Sequence, residues 1–158
     1  MLIIDEELEG MELRVMVPRD YDKVYTLWKS IKGFGIRKVD DSREGVEAFL
    51  KRNPRTSVVA EKDGEIVGAI LCGHDGRYGY MYHVCVKEEF RRQGIGKEMV
   101  VFCMRALKEE HINKIALIAF ITNDAGNAFW HQIGWKPRTD LNYYDFTLNE
   151  ENIIAFNE

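Results

Sequence analysis

Val84-Cys-Val-Lys-Glu-Glu-Phe-Arg-Arg-Gln-Gly-Ile-Gly-Lys97 reads as the end of a β-strand, a short charged turn and the opening of a helix. A helix N-terminus leaves about four backbone N–H groups without internal partners and carries roughly half a positive charge. Gly94 and Gly96 let a ligand approach that backbone with no Cβ in the way. Arg91, Arg92 and Lys97 add full positive charges beside Gln93 and Ile95, so residues 91–97 form a candidate phosphate cradle. Two better-known phosphate loops fit worse. Lys97 is followed by Glu98, and no glycine lies five residues before Gly96, which excludes G-x-x-x-x-G-K-S/T. Met99 occupies the third-glycine position of G-x-G-x-x-G, the dinucleotide fingerprint, making a nucleotide-binding domain a poor reading.

Working upstream, Ser57–Lys62 and Glu65–Leu71 flank Asp63-Gly64, the pattern of a hairpin on a two-residue turn. A second turn, His74–Arg77, leads into a third strand, Gly79–Val86. Before this meander, Met11–Val17 is a short strand candidate and Pro18 opens a helix carrying Val24, Leu27, Trp28 and Ile31 on one face. Lys32–Gly35 reads as a loop. Asp41, with Glu44 three residues on, reads as the cap of a second helix that Pro54 ends.

Downstream, Gly94–Glu110 is a long helix, and Ile95, Met99, Phe102, Cys103 and Ala106 share one side. Lys114–Ile121 reads as a buried strand, joined to its predecessor through that helix in a parallel βαβ unit. A shorter helix spans about 124–133, and Asn142–Leu148 reads as a closing strand. The order β-α-α-β-β-β-α-β-α-β predicts an α+β domain: a mixed, mostly antiparallel twisted sheet flanked by helices. We expect an N-terminal extension over 1–10, one domain over 11–150 and a C-terminal tail over 151–158.

The 158 residues suit one core, and the net charge of −4 gives no support for nucleic acid or an anionic membrane as partner. No apolar run is long enough to cross a bilayer, and the acidic N-terminus does not read as a signal peptide. Cys72, Cys85 and Cys103 are an odd count in apolar surroundings, as expected of buried reduced thiols in a cytoplasmic protein. The four histidines show no metal-ligand spacing.

Arg91-Arg-Gln-Gly94-Ile-Gly96 resembles the R/Q-x-x-G-x-G/A acetyl-CoA motif of the GCN5-related N-acetyltransferase (GNAT) superfamily. Asn123-Asp-Ala-Gly-Asn-Ala-Phe-Trp130-His-Gln-Ile-Gly134-Trp135 is similar to its second signature, Asn-x-x-Ala-x-x-Leu-Tyr-x-x-x-Gly-Phe. The resemblance covers about residues 12–150. It implies the family's acyl-CoA N-acyltransferase fold and transfer of an acetyl group from acetyl-CoA to a primary amine by direct attack in a ternary complex. It implies that residues 91–97 hold the pyrophosphate. The pantetheine then lies where the strand ending at Val86 splays from Lys114–Ile121, pairing with the backbone of Val84 and Val86. Asn123 and Trp130 join the expected cofactor residues, although capping is the plainer role for Asn123. The acceptor is a small-molecule or peptide amine, and the protein is a monomer or homodimer.

An alkyl amine with pKa near 10.4 sits ~3.4 units above pH 7, so its deprotonation costs about 4–5 kcal/mol. A thiol near 8.5 leaves as thiolate at a cost of only about 2 kcal/mol, so the base matters more than the acid. His83 and Tyr82, ahead of the cofactor-pairing stretch, are the candidate bases. Regular alternation puts Tyr80, Tyr82 and Val84 on one face and Met81, His83 and Cys85 on the other, unless a bulge exchanges them. Trp130 stands where the family places its tyrosine acid, and an indole N–H does not titrate. Trp130 is therefore expected to pack on the pantetheine arm, leaving the proton to Tyr143, Tyr144 or water. Cys85 reads as a structural thiol, Trp28 and Trp135 as core, and Asp40 and Asp41 as acceptor-loop carboxylates that are usually solvated. The alternative function is a catalytically weak acyl-CoA binding or sensing module.

Overall fold

A computed structural model describes residues 10–158 and forms two sheets, the larger one layered between helices. Its centre is the meander. Asp63 and Gly64 both adopt left-handed φ (50° and 79°), as a two-residue hairpin turn requires, and join β3 (Val58–Lys62) to β4 (Glu65–His74). Strand β5 (Tyr78–Val86) returns antiparallel beside β4, β1 (Met11–Val15) pairs antiparallel with β3, and β6 (Lys114–Ala116) pairs parallel with β5. The sheet order is β1-β3-β4-β5-β6. This is the mixed, mostly antiparallel sheet expected.

Helices α1 (Tyr21–Ser30) and α2 (Arg43–Arg52) contribute Val24, Leu27, Trp28, Val46 and Leu50 to a core that also contains Val59, Ala69, Leu71 and Cys85. Helix α3 (Ile95–Glu109) supplies Ile95, Met99, Val100, Cys103 and Leu107 to a second core with Val58, Val67, Ile70 and Met81. Phe129, Trp130 and Ile133 of α4 (Asp124–Gln132) and the adjoining turn pack against that second core. The two clusters draw on alternate residues of β3 and β4, so each of those strands is buried on both sides, which explains the run of apolar residues in β4.

Pro18–Asp20 forms a single 3-10 turn before α1, and Asp20 there is buried. Both terminal guanidinium nitrogens of Arg14 donate to its carboxylate at 2.8 Å, and the Val17 N–H adds a third bond at 2.9 Å.

Several expectations need correction. The second helix is capped by Ser42, whose Oγ accepts the Gly45 N–H, and not by Asp41. Gly35, expected to end a loop, opens β2 (Gly35–Arg37), paired antiparallel with β7 (Ile154–Phe156) in a separate two-stranded sheet. The strand expected at Lys114–Ile121 ends at Ala116, and Asn142–Leu148 forms no strand. Composition favours strand in both stretches, but a strand exists only where a neighbour accepts its backbone, and neither 117–121 nor 142–148 has one among the described residues. Among the described residues, no helix is long and apolar enough to cross a membrane.

Candidate active site

Strands β5 and β6 pair only as far as Tyr80↔Ala116, so beyond Tyr80 the remainder of β5 has no strand on that side among the described residues. The Lys87 N–H donates to Val67 on β4. Because peptide groups alternate along a strand, Val86 turns its N–H and C=O away from β4, toward the open edge. The Val86 carbonyl accepts the Arg91 Nε–H at 2.9 Å, which ties the basic turn to that edge.

The turn runs through a 3-10 segment (Glu88–Phe90) into α3. Arg92 and Gly94 adopt left-handed φ of 63° and 86°, and a Cβ built on Gly94 would meet nothing within 4 Å. Glu98 is the first residue of α3 whose N–H reaches a backbone acceptor, the Gly94 carbonyl. Among the described residues, the N–H groups of Ile95, Gly96 and Lys97 find no backbone acceptor. Arg91, Arg92 and Lys97 are exposed around them. This is an open, positively charged set of donors of the kind an anionic phosphate group fills.

The other half of the site comes from a bulge. Register passes from Leu71↔Tyr82 to Ala69↔Cys85, so His83 and Val84 together oppose Ile70. His83 takes φ +53°, a left-handed conformation uncommon for a side chain of its size. The bulge reverses the alternation read from sequence. Met81 and Val84 now belong to the α3 side, whereas Tyr82, His83 and Cys85 face α1 and α2. Two consecutive side chains thereby share one face.

The His83 ring lies against Trp28 (4.9 Å between centroids) and Phe34 (4.8 Å). Its Nε2 is 2.8 Å from Asp41 Oδ2. The Asp41 side chain is buried, accepts the Arg37 N–H at 2.6 Å and is anchored further by the Tyr21 hydroxyl, which donates to the Asp41 carbonyl at 2.7 Å. A carboxylate oxygen accepts, so in the tautomer that satisfies this contact Nε2 carries the hydrogen and Nδ1 keeps its lone pair. A fifth of the His83 side chain stays open to solvent.

Tyr82 packs edge-on against Phe49 at 5.9 Å. Burial pushes its phenol above the usual value, with Tyr80, Tyr143 and Asp40 adding to the rise, so it stays protonated at neutral pH. Burial likewise pushes the Cys85 thiol up to about 12, consistent with a structural thiol.

The structure thus gathers Tyr82 and His83 on one face and Arg91–Lys97 at the end of the same strand. Asn123 caps α4, accepting the Gly126 N–H at 3.1 Å. Trp130 is half-buried between Phe129 and Trp135 (5.0 and 4.8 Å). Tyr144 is exposed. Asp41 is the contact that sequence reasoning missed: read as a helix cap and a solvated loop charge, it is buried against His83, 42 positions away in sequence. Asp40 does remain exposed, held by the Asn152 side-chain amide at 2.8 Å.

The Acetyltransferase (GNAT) family model matches residues 21–135. The chain belongs to that family. Among curated relatives, an acetyltransferase of Pectobacterium atrosepticum is 33% identical over 80% of this chain and 88% of its own length. One from Photorhabdus laumondii is 35% identical over 81% and 88%. The PaiA N-acetyltransferase of Thermoplasma acidophilum, solved with coenzyme A, superposes with a TM-score of 0.69 at 15% identity, covering 94% of this chain and 98% of that one. An aminoglycoside N-acetyltransferase solved with CoA gives 0.66 at 15% identity over 86% and 94%. These structures share the fold, and the family assignment makes the protein a GNAT acetyltransferase.

Proposed function

We propose that this acetyltransferase moves an acetyl group from acetyl-CoA to a primary amine by direct attack in a ternary complex, with His83 as the general base. The observation that carries this reading is the His83–Asp41 pair on a bulge beside the open edge of β5. Acetyl-CoA would supply the activated acyl group and a thiolate leaving group. The free N–H groups opening α3, the unfilled space at Gly94 and the surrounding Arg91, Arg92 and Lys97 fit its pyrophosphate. Gln93, Ile95 and Gly96 complete that loop. Val84 and Val86 offer edge-strand peptide groups to the pantetheine amides, and Trp130 packs along that arm.

His83 is suited to accept the proton of an acceptor ammonium because Asp41 fixes its tautomer and stabilises the imidazolium that forms. Tyr82 contributes a hydrogen-bond donor in place of a base. An N–H on the open β5 edge stabilises the oxyanion as charge develops there. The departing thiolate takes its proton from water or from Tyr143 or Tyr144, because Trp130 has none to give. Asp40 offers the acceptor cation a carboxylate. The buried reduced cysteines suit a cytoplasmic enzyme.

Release of free thiol from acetyl-CoA, measured across an amine panel that begins with aminoglycosides and polyamines, tests the assignment. We expect release to depend on an added amine and to fall at least 100-fold in His83→Ala. The replacement of the usual tyrosine by Trp130 favours one second reading, a weak acyl-CoA binding module. That reading gains if CoA raises the melting temperature while no amine elicits thiol.

A further inference from the structure

The loop that carries the partner of His83 is fastened by the last residues of the chain. Strand β2, which ends at Arg37, pairs with β7 and, among the described residues, with no other strand. Two three-residue strands hold little by themselves, since an isolated pair is marginal in water. Side chains at both ends of β7 extend the grip. Asn152 Oδ1 accepts the Val39 and Asp40 N–H groups at 3.0 and 2.9 Å, and its Nδ2 donates to the Asp40 carboxylate at 2.8 Å. The Ile153 carbonyl accepts the Lys38 N–H at 2.9 Å. All three N–H groups belong to the turn between β2 and Asp41.

Asn157 works at the other end. Its Nδ2 donates to the Trp28 and Ile31 carbonyls at 2.7 and 2.8 Å, at the end of α1 where helical donors run out. Its backbone makes two more bonds, the N–H donating to the Phe34 carbonyl and its own carbonyl accepting the Gly33 N–H, both at 3.0 Å. Trp28 and Phe34 are the two rings that flank the His83 imidazole. Between the asparagines β7 closes tightly on β2, where a Cβ on Gly35 would stand 2.6 Å from the Ile154 side chain. Segment 152–157 thus runs antiparallel along the turn that holds Asp41, the strand leading into it and the residues carrying both rings.

We infer that Asn152 and Asn157 are positioning residues for the reaction, bracketing residues 28–41 so that Asp41, Trp28 and Phe34 meet His83 in one geometry, which rests on the reading of His83 as the base. The reason is entropic. Residues 31–41 contain only one short strand, and fixing each of them costs backbone freedom that their own bonds must offset. The Arg37 N–H and the Tyr21 hydroxyl can hold Asp41 only once this loop is in place. A carboxamide suits the task because it donates and accepts at once, and Asn152 uses both capacities on adjacent residues. Neither asparagine touches the reacting atoms, yet a small displacement of the imidazole or its carboxylate is enough to slow proton transfer.

Ring ¹⁵N shifts of the four histidines in the full chain test this and need no acceptor amine. Asn152→Ala and Asn157→Ala should each move His83 toward the mixed tautomers of Asp41→Asn, while His74, His111 and His131 keep their wild-type shifts. In thiol release from acetyl-CoA, with aminoglycosides and polyamines as acceptors, either variant should lose about 10-fold in kcat. The KM for acetyl-CoA and the rise in melting temperature given by CoA should hold, since the phosphate cradle belongs to β5 and α3. Asn157→Ala uncaps α1 and is the variant at risk of misfolding; Asn152→Ala acts on an exposed turn and keeps the test in force. Wild-type His83 shifts in a folded Asn152→Ala overturn the inference. So does a fall in kcat matched by an equal loss of the CoA effect, the mark of general destabilisation. A slow His83→Ala beside asparagine variants of wild-type kcat overturns this inference alone, whereas wild-type release by His83→Ala removes the base reading and this inference with it.

Discussion

His83 Nε2 and Asp41 Oδ2 stand 2.8 Å apart although the residues come from a bulged central strand and from the loop before α2. Because Arg37 and Tyr21 also hold Asp41, the imidazole is fixed from behind while Trp28 and Phe34 hold it from the sides. If His83 is the base, His83→Ala should lower kcat about 10²–10⁴-fold with little change in the KM for acetyl-CoA. Asp41→Asn should lower kcat by a smaller factor. It should also redistribute the two neutral tautomers of His83, visible in the ¹⁵N shifts of its ring nitrogens, which a residue acting only on packing would leave in place.

Trp130 offers a second test of the proton route. Trp130→Phe keeps a ring against Phe129 and Trp135, so we expect a modest rise in the KM for acetyl-CoA at nearly constant kcat. Turnover abolished with acetyl-CoA affinity intact would place Trp130 in the chemistry.

Gly94→Ala should weaken CoA binding and destabilise the fold together. The new Cβ has room, but φ of +86° costs an L-residue about 1–2 kcal/mol. The melting temperature should therefore fall by several degrees, and the shift induced by CoA should shrink. The same measurements on Arg92→Ala should lose the CoA effect with less change in stability, since that guanidinium is exposed.

Asp20 should govern part of the acid stability. Burial pushes its carboxyl up, but the bonds from Arg14 and Val17 outweigh that and hold it below the usual 3.8. A carboxyl depressed in the folded state contributes stability that is complete above the unfolded value and is lost as pH falls through the folded one. Unfolding by denaturant should accordingly show a loss beginning below about pH 4. Asp20→Asn should remove roughly 1–3 kcal/mol at pH 7, discounted because Arg14 is partly exposed, and flatten that acid loss.

The meander is readable because its signals are local. Asp63-Gly64 needs two left-handed residues, and only a few residue types adopt that geometry freely. The phosphate cradle is readable for the same reason, since a strand, two glycines and a helix start are contiguous. The face of His83 is not, because alternation assumes an unbroken register and the bulge at residues 83–84 is visible only in the pairing of β4 with β5. The apolar runs at 117–121 and 142–148 mislead because strand propensity describes a willingness to pair and says nothing about whether a neighbour is present.

Local chemistry along the chain dictated the β3–β4–β5 meander, the helices and the anion-binding turn, since each rests on periodicity, turn geometry or adjacent charge within a few residues. Tertiary structure alone chose which carboxylate His83 would meet. Asp41 lies in a loop whose sequence looks fit for water, and only the joint packing of α1, β2 and the bulged strand removes that water and leaves the imidazole as its partner. A buried charge is stable only where donors converge on it, and convergence from separate segments is a property of the folded chain.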